Sequence, residues 1–366
     1  MSPGFLIFVI SFFILLILFI LAFYNYLTAP VLKNINEETG QDKFVSVLIP
    51  ARNEEANIRE CLKSVLNQNY KNYEVLVLDD ESTDNTYKIV KDFNNERIKL
   101  IEGKPLPGNW LGKNWACNQL AENAKGDIFL FIDADVRLSE NSLNSGIKIF
   151  KDKRLDMLSC FPTQQIKTIS EWLIVPLMNF FLLSLLPLKK VFSSLNKSFS
   201  AANGQFIMID KSVYHKIGGH RRIANEVVED MELARLLKQN GFTILTALGD
   251  NAVTCRMYNN FPDAFNGFSK NFYPGFKTNP TFFVILILLF SLIFIYPFFL
   301  LATNVFYLLH ITLILLIRVF ISLSSRQNIL LNILFHPLQI IIMLLTAINS
   351  VWQSKLKKRE WKGRKI

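Results

Sequence analysis

Apolar residues are concentrated at the two ends of the chain. Residues 1–30 carry no charged side chain, and residues 281–323 carry only Arg318. Between these blocks, residues 44–270 alternate short apolar runs with charged segments, as a folded water-soluble domain does. About 20 apolar residues are enough to cross the roughly 30 Å hydrocarbon core of a membrane. The pattern therefore predicts a globular domain between an N-terminal transmembrane anchor and C-terminal transmembrane helices over residues 281–350.

The number of C-terminal crossings is open on sequence alone. Three stretches have the required length, namely residues 281–302, 304–323 and 329–348. Three crossings from the cytoplasm would place the basic tail, residues 351–366, outside the cell, against the positive-inside rule. His336-Pro337 interrupts the third stretch, so we favour two crossings and one re-entrant or interfacial segment, with a cytoplasmic tail. Because the lysines nearest the first segment, Lys33 and Lys43, follow it, the globular domain is predicted to face the cytoplasm.

A further apolar stretch, Trp172–Leu188, lies inside the globular region. Its two prolines and the following Lys189-Lys190 predict a helix lying in the membrane interface. A buried core helix is the alternative.

The pattern from residue 44 onwards predicts alternating strands and helices. Strands are predicted at 44–49, 73–78, 98–101 and 128–132, and helices at 55–68 and 113–124. This alternation is typical of an α/β fold with a mostly parallel sheet and helices on both faces. Ligands bind such sheets at the carboxyl ends of the strands. Those ends carry three polar clusters: Pro50–Glu54, Asp79-Asp80 and Asp133–Asp135.

The clusters favour a substrate that bears phosphate groups. No G-x-G-x-x-G motif follows the first strand, which argues against a dinucleotide site. Asp133 and Asp135, two positions apart, could hold Mg²⁺ or Mn²⁺ together with substrate phosphates. Taken alone, such a pair is as well explained by a turn. Its convergence with two other polar strand ends favours the metal site.

Charge and cysteine content support a membrane protein that faces the cytosol. The chain has 40 Lys and Arg against 30 Asp and Glu, a net charge of +10. The clearest basic cluster, residues 355–365, follows an apolar stretch, so we predict contact with the lipid bilayer and no nucleic-acid partner. The four cysteines are far apart and form no C-x-x-C pair, which predicts reduced, buried thiols.

Four motifs resemble the family 2 glycosyltransferases of the GT-A fold. They are Val47–Glu55, Leu78–Asp84, Phe131–Asp135 and Glu229-Asp230. Four further segments resemble, more narrowly, the membrane glycosyltransferases that glucosylate carotenoid acids: Gly112–Cys117, Gly267–Asn271, His336-Pro337 and Glu360–Arg364. The resemblance implies a GT-A catalytic domain over residues 44–275, a UDP-sugar donor and a membrane lipid acceptor.

The resemblance also implies residue roles. Residues that would contact the nucleotide are Pro50, Arg52, Asn53, Glu54, Asp79 and Asp80, with Asp80 on the uracil. Asp133 and Asp135 would frame the Mg²⁺ or Mn²⁺, and Asp230 would be the general base. Possible substrate contacts are Lys113, Gly204, Gln205, Glu229, Lys270 and Asn271. For Glu229-Asp230 the alternative is that acidic residues favour a helix N-terminus. For Gly204 and Gln205 the alternative is a turn before a strand. For Lys113 and Lys270 the alternative is a solvated position on the surface.

With these roles, the resemblance implies a single, inverting transfer of a sugar. The Q-x-x-R-W motif of processive synthases is absent, and Gly267–Asn271 occupies the corresponding stretch. The predicted donor is UDP-glucose and the predicted acceptor a lipid such as a carotenoid acid. The acceptor alternatives are a polyprenyl phosphate, a diacylglycerol or a hopanoid. A non-catalytic membrane protein of the same fold is disfavoured, because Asp133, Asp135 and Asp230 are all present.

Overall fold

The structure is a computed structural model that describes residues 3–35, 40, 42–356, 360–361 and 364–365. The α-helices, α1 to α16 in chain order, are Pro3–Thr28, Ile58–Leu66, Thr86–Lys91, Gly112–Asn123, Ser142–Asp152, Ile169–Trp172, Pro176–Leu185, Lys189–Ser193, Lys211–Lys216, Gly219–Arg222, Glu229–Gln239, Phe261–Phe276, Pro280–Leu300, Leu308–Ser324, Ile329–Leu334 and His336–Lys355. The strands, β1 to β12, are Val45–Ala51, Tyr73–Asp79, Ile98–Glu102, Ile128–Ile132, Val136–Leu138, Met157–Phe161, Thr163–Gln164, Phe206–Asp210, Ile244–Leu248, Val253–Cys255, Glu360–Trp361 and Arg364–Lys365.

The chain divides into two compact units. The sheet unit comprises Pro30–Gln165, Val191–Arg256 and Glu360–Ile366. The helical unit comprises Met1–Ala29, Ile166–Lys190 and Met257–Arg359. The predicted domain boundaries at residues 44–275 and 281–350 stay predictions.

A seven-stranded mixed sheet forms the centre of the sheet unit. Its strand order is β3-β2-β1-β4-β8-β6-β9. Neighbours are parallel except β8, which runs antiparallel to both β4 and β6. Every residue of β1 and β4 is buried, as expected for strands covered on both faces. The predicted α/β fold with a mostly parallel sheet is confirmed.

Strand β1 extends past the residue that was expected to end it. The predicted strand stopped at Ile49, whereas β1 continues through Pro50 to Ala51. Pairing of β1 with β4 ends at Leu48, opposite Phe131. Pro50 therefore lies beyond this ladder, where a missing N–H group is tolerated.

Two short segments near the strand ends are fixed by the beginnings of helices α3 and α11. Helix α3 begins at Thr86, and the preceding Ser82 and Thr83 contact Asn53. Ser82 Oγ accepts the backbone N–H of Asn53, and the Thr83 N–H donates to the Asn53 side chain. Helix α11 begins at Glu229, so Glu229 and Asp230 occupy its first turn.

Among the described residues, the helical unit contains four helices long and apolar enough to cross a membrane. They are Pro3–Thr28, Pro280–Leu300, Val305–Ser324 and His336–Lys355. Pro337 lies in the first turn of the last helix, where its missing N–H breaks no helical bond. The predicted stretch 329–348 is divided here, because α15 ends at Leu334 and the 20-residue α16 begins at His336. The number of crossings stays a prediction.

The apolar stretch Trp172–Leu188 contains helix α7, which has ten residues and is too short to span a membrane. Within the helical unit, Asn25 of α1 donates to the carbonyls of Leu183 and Leu186, each at 2.8 Å. Phe180 and Leu183 are fully buried there. Placement of α7 in the membrane interface stays a prediction. Six residues of the basic tail, 357–359, 362–363 and 366, lie outside the described residues.

Candidate active site

The sheet brings the predicted polar clusters to one edge. β1 lies between β2 and β4, parallel to both. The Asp80 N–H donates to the Ala51 carbonyl at 2.8 Å, which holds the ends of β1 and β2 together. Asp133 and Asp135 follow directly after β4. The three clusters therefore lie where a parallel sheet binds its ligands.

Arg52 and Asn53 fix the loop that follows β1. The Arg52 guanidinium donates to the carbonyl oxygens of Asp80 and Glu81. Asn53 adopts a φ of +51°, a left-handed conformation that Asn tolerates better than most residues. Its Oδ1 accepts the Thr83 N–H at 2.8 Å. Both residues thus contribute to the shape of this loop, and their contact with a nucleotide stays a prediction.

Asp79 and Glu54 present carboxylates at the same edge. Asp79 Oδ2 accepts the Ser82 N–H at 3.2 Å, while its buried Oδ1 has no hydrogen-bond partner among the described residues. Glu54 Oε2 accepts from the Asn57 amide at 3.0 Å. An unsatisfied buried oxygen costs free energy that a donor on a ligand would recover. Asp79 is therefore a candidate ligand contact in its own right.

Lys113 lies between two carboxylates. Its Nζ is 2.8 Å from Asp133 Oδ1 and 3.0 Å from Glu229 Oε1, with only 22% of the side chain exposed. Burial lowers the pKa of Lys113, but the two carboxylates outweigh it and hold the pKa well above its ordinary value. The alternative of a solvated surface lysine is therefore wrong for Lys113.

Helix α4 and a loop before α11 position this ion-pair group. The Asn114 side chain donates to the carbonyls of Ile223, Ala224 and Glu226 at 2.9 to 3.1 Å. These bonds fasten the first turn of α4, which carries Lys113, to the segment that leads into Glu229.

Asp135, the second predicted metal ligand, is half-buried. Its Oδ1 is buried and has no hydrogen-bond partner within the described chain. Burial, and then the charges of Asp133 and Glu54, raise the pKa of Asp135 to about 7. The Cys255 thiol is hydrogen-bonded to this carboxyl group, and Gln205 donates to the Cys255 sulfur. Gln205 thus acts on Asp135 through Cys255, a residue that sequence reasoning placed only among buried thiols.

Asp230 is held by two backbone donors. The Gly204 N–H donates to its Oδ2 at 2.8 Å, and the Met231 N–H donates to its Oδ1 at 2.7 Å. Burial and the neighbouring Glu229 carboxylate raise the pKa of Asp230 to about 7. Burial also acts to raise the pKa of Glu229, but the Lys113 ammonium outweighs it and the pKa is lowered. The two adjacent carboxylates are therefore suited to different roles.

Gly204 lies against all three charged groups. A Cβ at this position would lie 3.0 Å from Lys113 Nζ, 3.2 Å from Glu229 Oε1 and 3.6 Å from Asp230 Oδ2. The first two distances are tighter than ordinary van der Waals contact, so the close approach depends on glycine.

A small cavity joins these residues. Its polar lining comprises Lys113, Asp133, His220, Glu229 and Asp230. His220, which sequence reasoning did not assign, is bonded through Nδ1 to the Tyr214 hydroxyl at 2.8 Å. Burial lowers the pKa of His220 to about 4, so the ring is neutral at pH 7. No spacing in the sequence signals this residue.

Two predicted substrate contacts lie in the helical unit, since Lys270 and Asn271 belong to α12. Their contact with substrate stays a prediction. All four cysteines are buried and free, as predicted. Within the described chain, no three His, Cys, Asp or Glu side chains form a metal cluster by themselves. A cation held by Asp133 and Asp135 would therefore need further ligands from substrate or water.

The strand order and the carboxylates at the strand ends define a domain of the GT-A class. A mannosyltransferase from Pyrobaculum calidifontis, solved in complex with GDP-Man and Mn²⁺, has this fold, with a TM-score of 0.56, 17% identity and 96% of each chain covered.

Sequence comparison gives the family. Residues 46–218 match the model for glycosyl transferase family 2. The 4,4'-diaponeurosporenoate glycosyltransferase of Staphylococcus haemolyticus is 29% identical over 69% of this chain and 66% of its own length. That of Staphylococcus aureus (strain USA300) is 26% identical over 64% of this chain and 62% of its own. The matches thus span just under two thirds of these relatives. The match of residues 46–218 to this family confirms the resemblance that the motifs indicated.

Proposed function

We propose that the protein transfers a single glucose from UDP-glucose to the carboxylate of a carotenoid acid, with inversion at the anomeric carbon. The observation that carries the proposal is the group formed by Asp133, Lys113, Glu229 and Asp230 at the strand ends. Two relatives named for a carotenoid acid support the acceptor. The catalytic domain faces the cytoplasm in this proposal.

The donor lies along the edge of the sheet. Asp79 and Asp80, with the loop of Arg52, Asn53 and Glu54, bind the nucleotide. The two carboxylates fit a hard divalent cation, because such a cation prefers oxygen ligands and Asp135 has a buried oxygen without a hydrogen-bond partner among the described residues. A Mg²⁺ or Mn²⁺ ion held by Asp133 and Asp135 would neutralise charge that develops on the leaving diphosphate.

Lys113 supplies a second positive charge beside the diphosphate. Its ammonium already lies within 3.1 Å of both Asp133 oxygens, so it is held at the place where the phosphates must bind. Glu229 fixes the ammonium from the other side at 3.0 Å. We propose that Glu229 positions Lys113 and takes no proton from the acceptor.

The acceptor carboxylate attacks the anomeric carbon of glucose. A carbon–oxygen bond forms as the bond to the diphosphate breaks, and UDP leaves with the electron pair. A carboxylic acid with a pKa near 4.3 is already ionised at neutral pH, so this acceptor needs no base. Asp230 acts as general base only if the acceptor is a hydroxyl group.

Transfer of radiolabelled glucose from UDP-glucose to a carotenoid acid, measured in purified membranes, tests the proposal. We expect an alkali-labile glycosyl ester that disappears with EDTA and returns with Mn²⁺ or Mg²⁺. Asp135→Ala should abolish it. Asp127→Asn is a matched control, since Asp127 precedes the opposite end of β4 and its carboxylate accepts the exposed Phe44 N–H. Full transfer in chelator would refute the metal site, and labelling of another lipid class in place of the acid would refute the acceptor.

A further inference from the structure

The imidazole of His220 is held by packing within the sheet unit. His220 is the second residue of α10, with 4% of its surface exposed. Its ring packs edge-on against Phe131, with ring centres 5.0 Å apart, and lies 5.7 Å from the Tyr214 ring. Gly219 permits the close approach of Tyr214, because a Cβ at residue 219 would overlap the tyrosine ring. Sugar transfer as proposed above makes no use of this buried imidazole.

The Tyr214 hydroxyl sets the tautomer of His220. The hydroxyl oxygen accepts the backbone N–H of His220 at 3.1 Å and lies 2.8 Å from Nδ1. Among the described residues, Nδ1 is the acceptor that this hydroxyl contacts, so the hydroxyl donates and Nδ1 accepts. Burial lowers the pKa of His220 to about 4, which leaves the ring neutral at pH 7. A neutral imidazole that accepts at Nδ1 carries its proton on Nε2, so Nε2 is the donor of this ring.

The cavity beside the ring has room for one water molecule. Its volume is about 10 Å³. Its polar lining comprises Lys113, Asp133, His220, Glu229 and Asp230. A buried water needs a space of roughly 10 to 15 Å³ and makes about two to four hydrogen bonds to polar groups. Within the described chain the imidazole is hydrogen-bonded to the Tyr214 hydroxyl through Nδ1, so Nε2 remains as a donor for such a water.

Two charged groups of this lining lie near the imidazole. The Glu229 carboxylate acts to raise the pKa of His220, and the Lys113 ammonium acts to lower it. Charges shift a pKa in this way at short range, so both groups are close to the ring. The described chain nevertheless shows no direct hydrogen bond between the imidazole and Glu229. A donor and a carboxylate that line one cavity without a direct bond are an arrangement that a bridging water completes.

We propose that His220 is a positioning residue: its Nε2 donates to one water in this cavity, and the water donates to the Glu229 carboxylate. Glu229 contacts the Lys113 ammonium at 3.0 Å, so a carboxylate that the water also holds keeps this ammonium in place. His220 thus acts on the donor diphosphate through Glu229 and Lys113, without touching the donor. This role rests on the proposed function, in which Lys113 lies beside the diphosphate.

Two histidine-to-phenylalanine variants of the purified full-length chain in neutral detergent test the proposal. His220→Phe keeps an aromatic ring but removes the Nε2 donor. His215→Phe is the matched control, because His215 is exposed and its ring also lies beside Tyr214, at 5.6 Å. At saturating Mn²⁺, we expect His220→Phe to weaken UDP binding about tenfold in calorimetry and His215→Phe to leave it unchanged. Unchanged UDP binding in a folded His220→Phe variant would overturn the proposal.

A double-mutant cycle shows whether His220 acts through Glu229. Glu229→Gln removes the carboxylate to which the water donates. Addition of His220→Phe to Glu229→Gln should therefore weaken UDP binding by less than about threefold. A full further loss would mean that His220 acts independently of Glu229, against the proposal. His220→Gln, which keeps an N–H donor but not the ring, should bind UDP more tightly than His220→Phe, whereas a packing role alone predicts the reverse.

Nitrogen NMR of the chain with isotope-labelled histidine covers the case in which His220→Phe does not fold or UDP does not bind. Without donor or metal, the His220 signals, assigned by contacts with Phe131 and Tyr214, should show a protonated Nε2 and an unprotonated Nδ1 at pH 7. A protonated Nδ1 would overturn the proposal, as would an Nε2–H signal that Glu229→Gln leaves unshifted. This measurement needs no donor, so absence of UDP binding in the wild type would count against the proposed function alone.

Discussion

Replacement of Asp230 by Asn should affect two acceptors to different extents. With a hydroxyl acceptor, Asp230 removes a proton during attack, and loss of a general base typically costs 10²- to 10⁴-fold. With a carboxylate acceptor there is no proton to remove. A large loss with the alcohol and a small loss with the acid is therefore the expected result.

The structure sets the size of the smaller loss. Both oxygens of Asp230 accept backbone N–H groups, from Gly204 at 2.8 Å and from Met231 at 2.7 Å. An Asn side chain has one oxygen, so one of these bonds is lost. A hydrogen bond is worth about 1 kcal/mol, or about fivefold in rate. We therefore expect about a fivefold loss with the acid and at least a hundredfold loss with the alcohol.

The assay is kcat/KM for a carotenoid acid and its matching alcohol at saturating metal. Glu232→Gln is the control, because Glu232 lies in the same first turn of α11 but is bonded to Arg235. In Glu232→Gln the ratio of kcat/KM for the acid to kcat/KM for the alcohol should equal that of the wild type. An equal, large loss with both acceptors in Asp230→Asn would refute the reasoning and would show that Asp230 positions the acceptor.

Three further outcomes are expected. Gly204→Ala should lower kcat/KM about tenfold, since its methyl group would lie 3.0 Å from a lysine ammonium, whereas Gly108→Ala, with nothing within 4 Å, should have no effect. Lys153→Cys and Asn225→Cys should both resist a membrane-impermeant thiol reagent in intact cells, and labelling of either would place that segment outside. The pKa of Asp230 is raised to about 7, so the folded domain retains a proton that the unfolded chain loses above about pH 4. In EDTA the melting temperature of the wild type should therefore fall from pH 5 to pH 8, and that of Asp230→Asn should fall by less. A rise in the wild-type melting temperature over this range would contradict a raised pKa of Asp230.

Local sequence was sufficient for the strands and for the edge on which the site lies. Short apolar runs predicted β1, β2 and β4 to within two residues, because fully buried parallel strands consist of continuous apolar residues. Once these strands are parallel, their carboxyl ends meet by geometry. Parallel pairing of these strands is therefore enough to place Asp79 and Asp133 at one edge of the sheet.

Contacts between residues far apart in sequence were decided only by the tertiary structure. Lys113 is 116 positions from Glu229, and nothing in either local pattern shows that their charged atoms lie 3.0 Å apart. Desolvation is likewise a property of the packed domain, so only the fold gives Asp230 a pKa near 7. For Arg318, the sequence showed only a charge in an apolar segment. The packed helices show that its Nε donates a hydrogen bond to His336 and that no carboxylate of the described chain pairs with it.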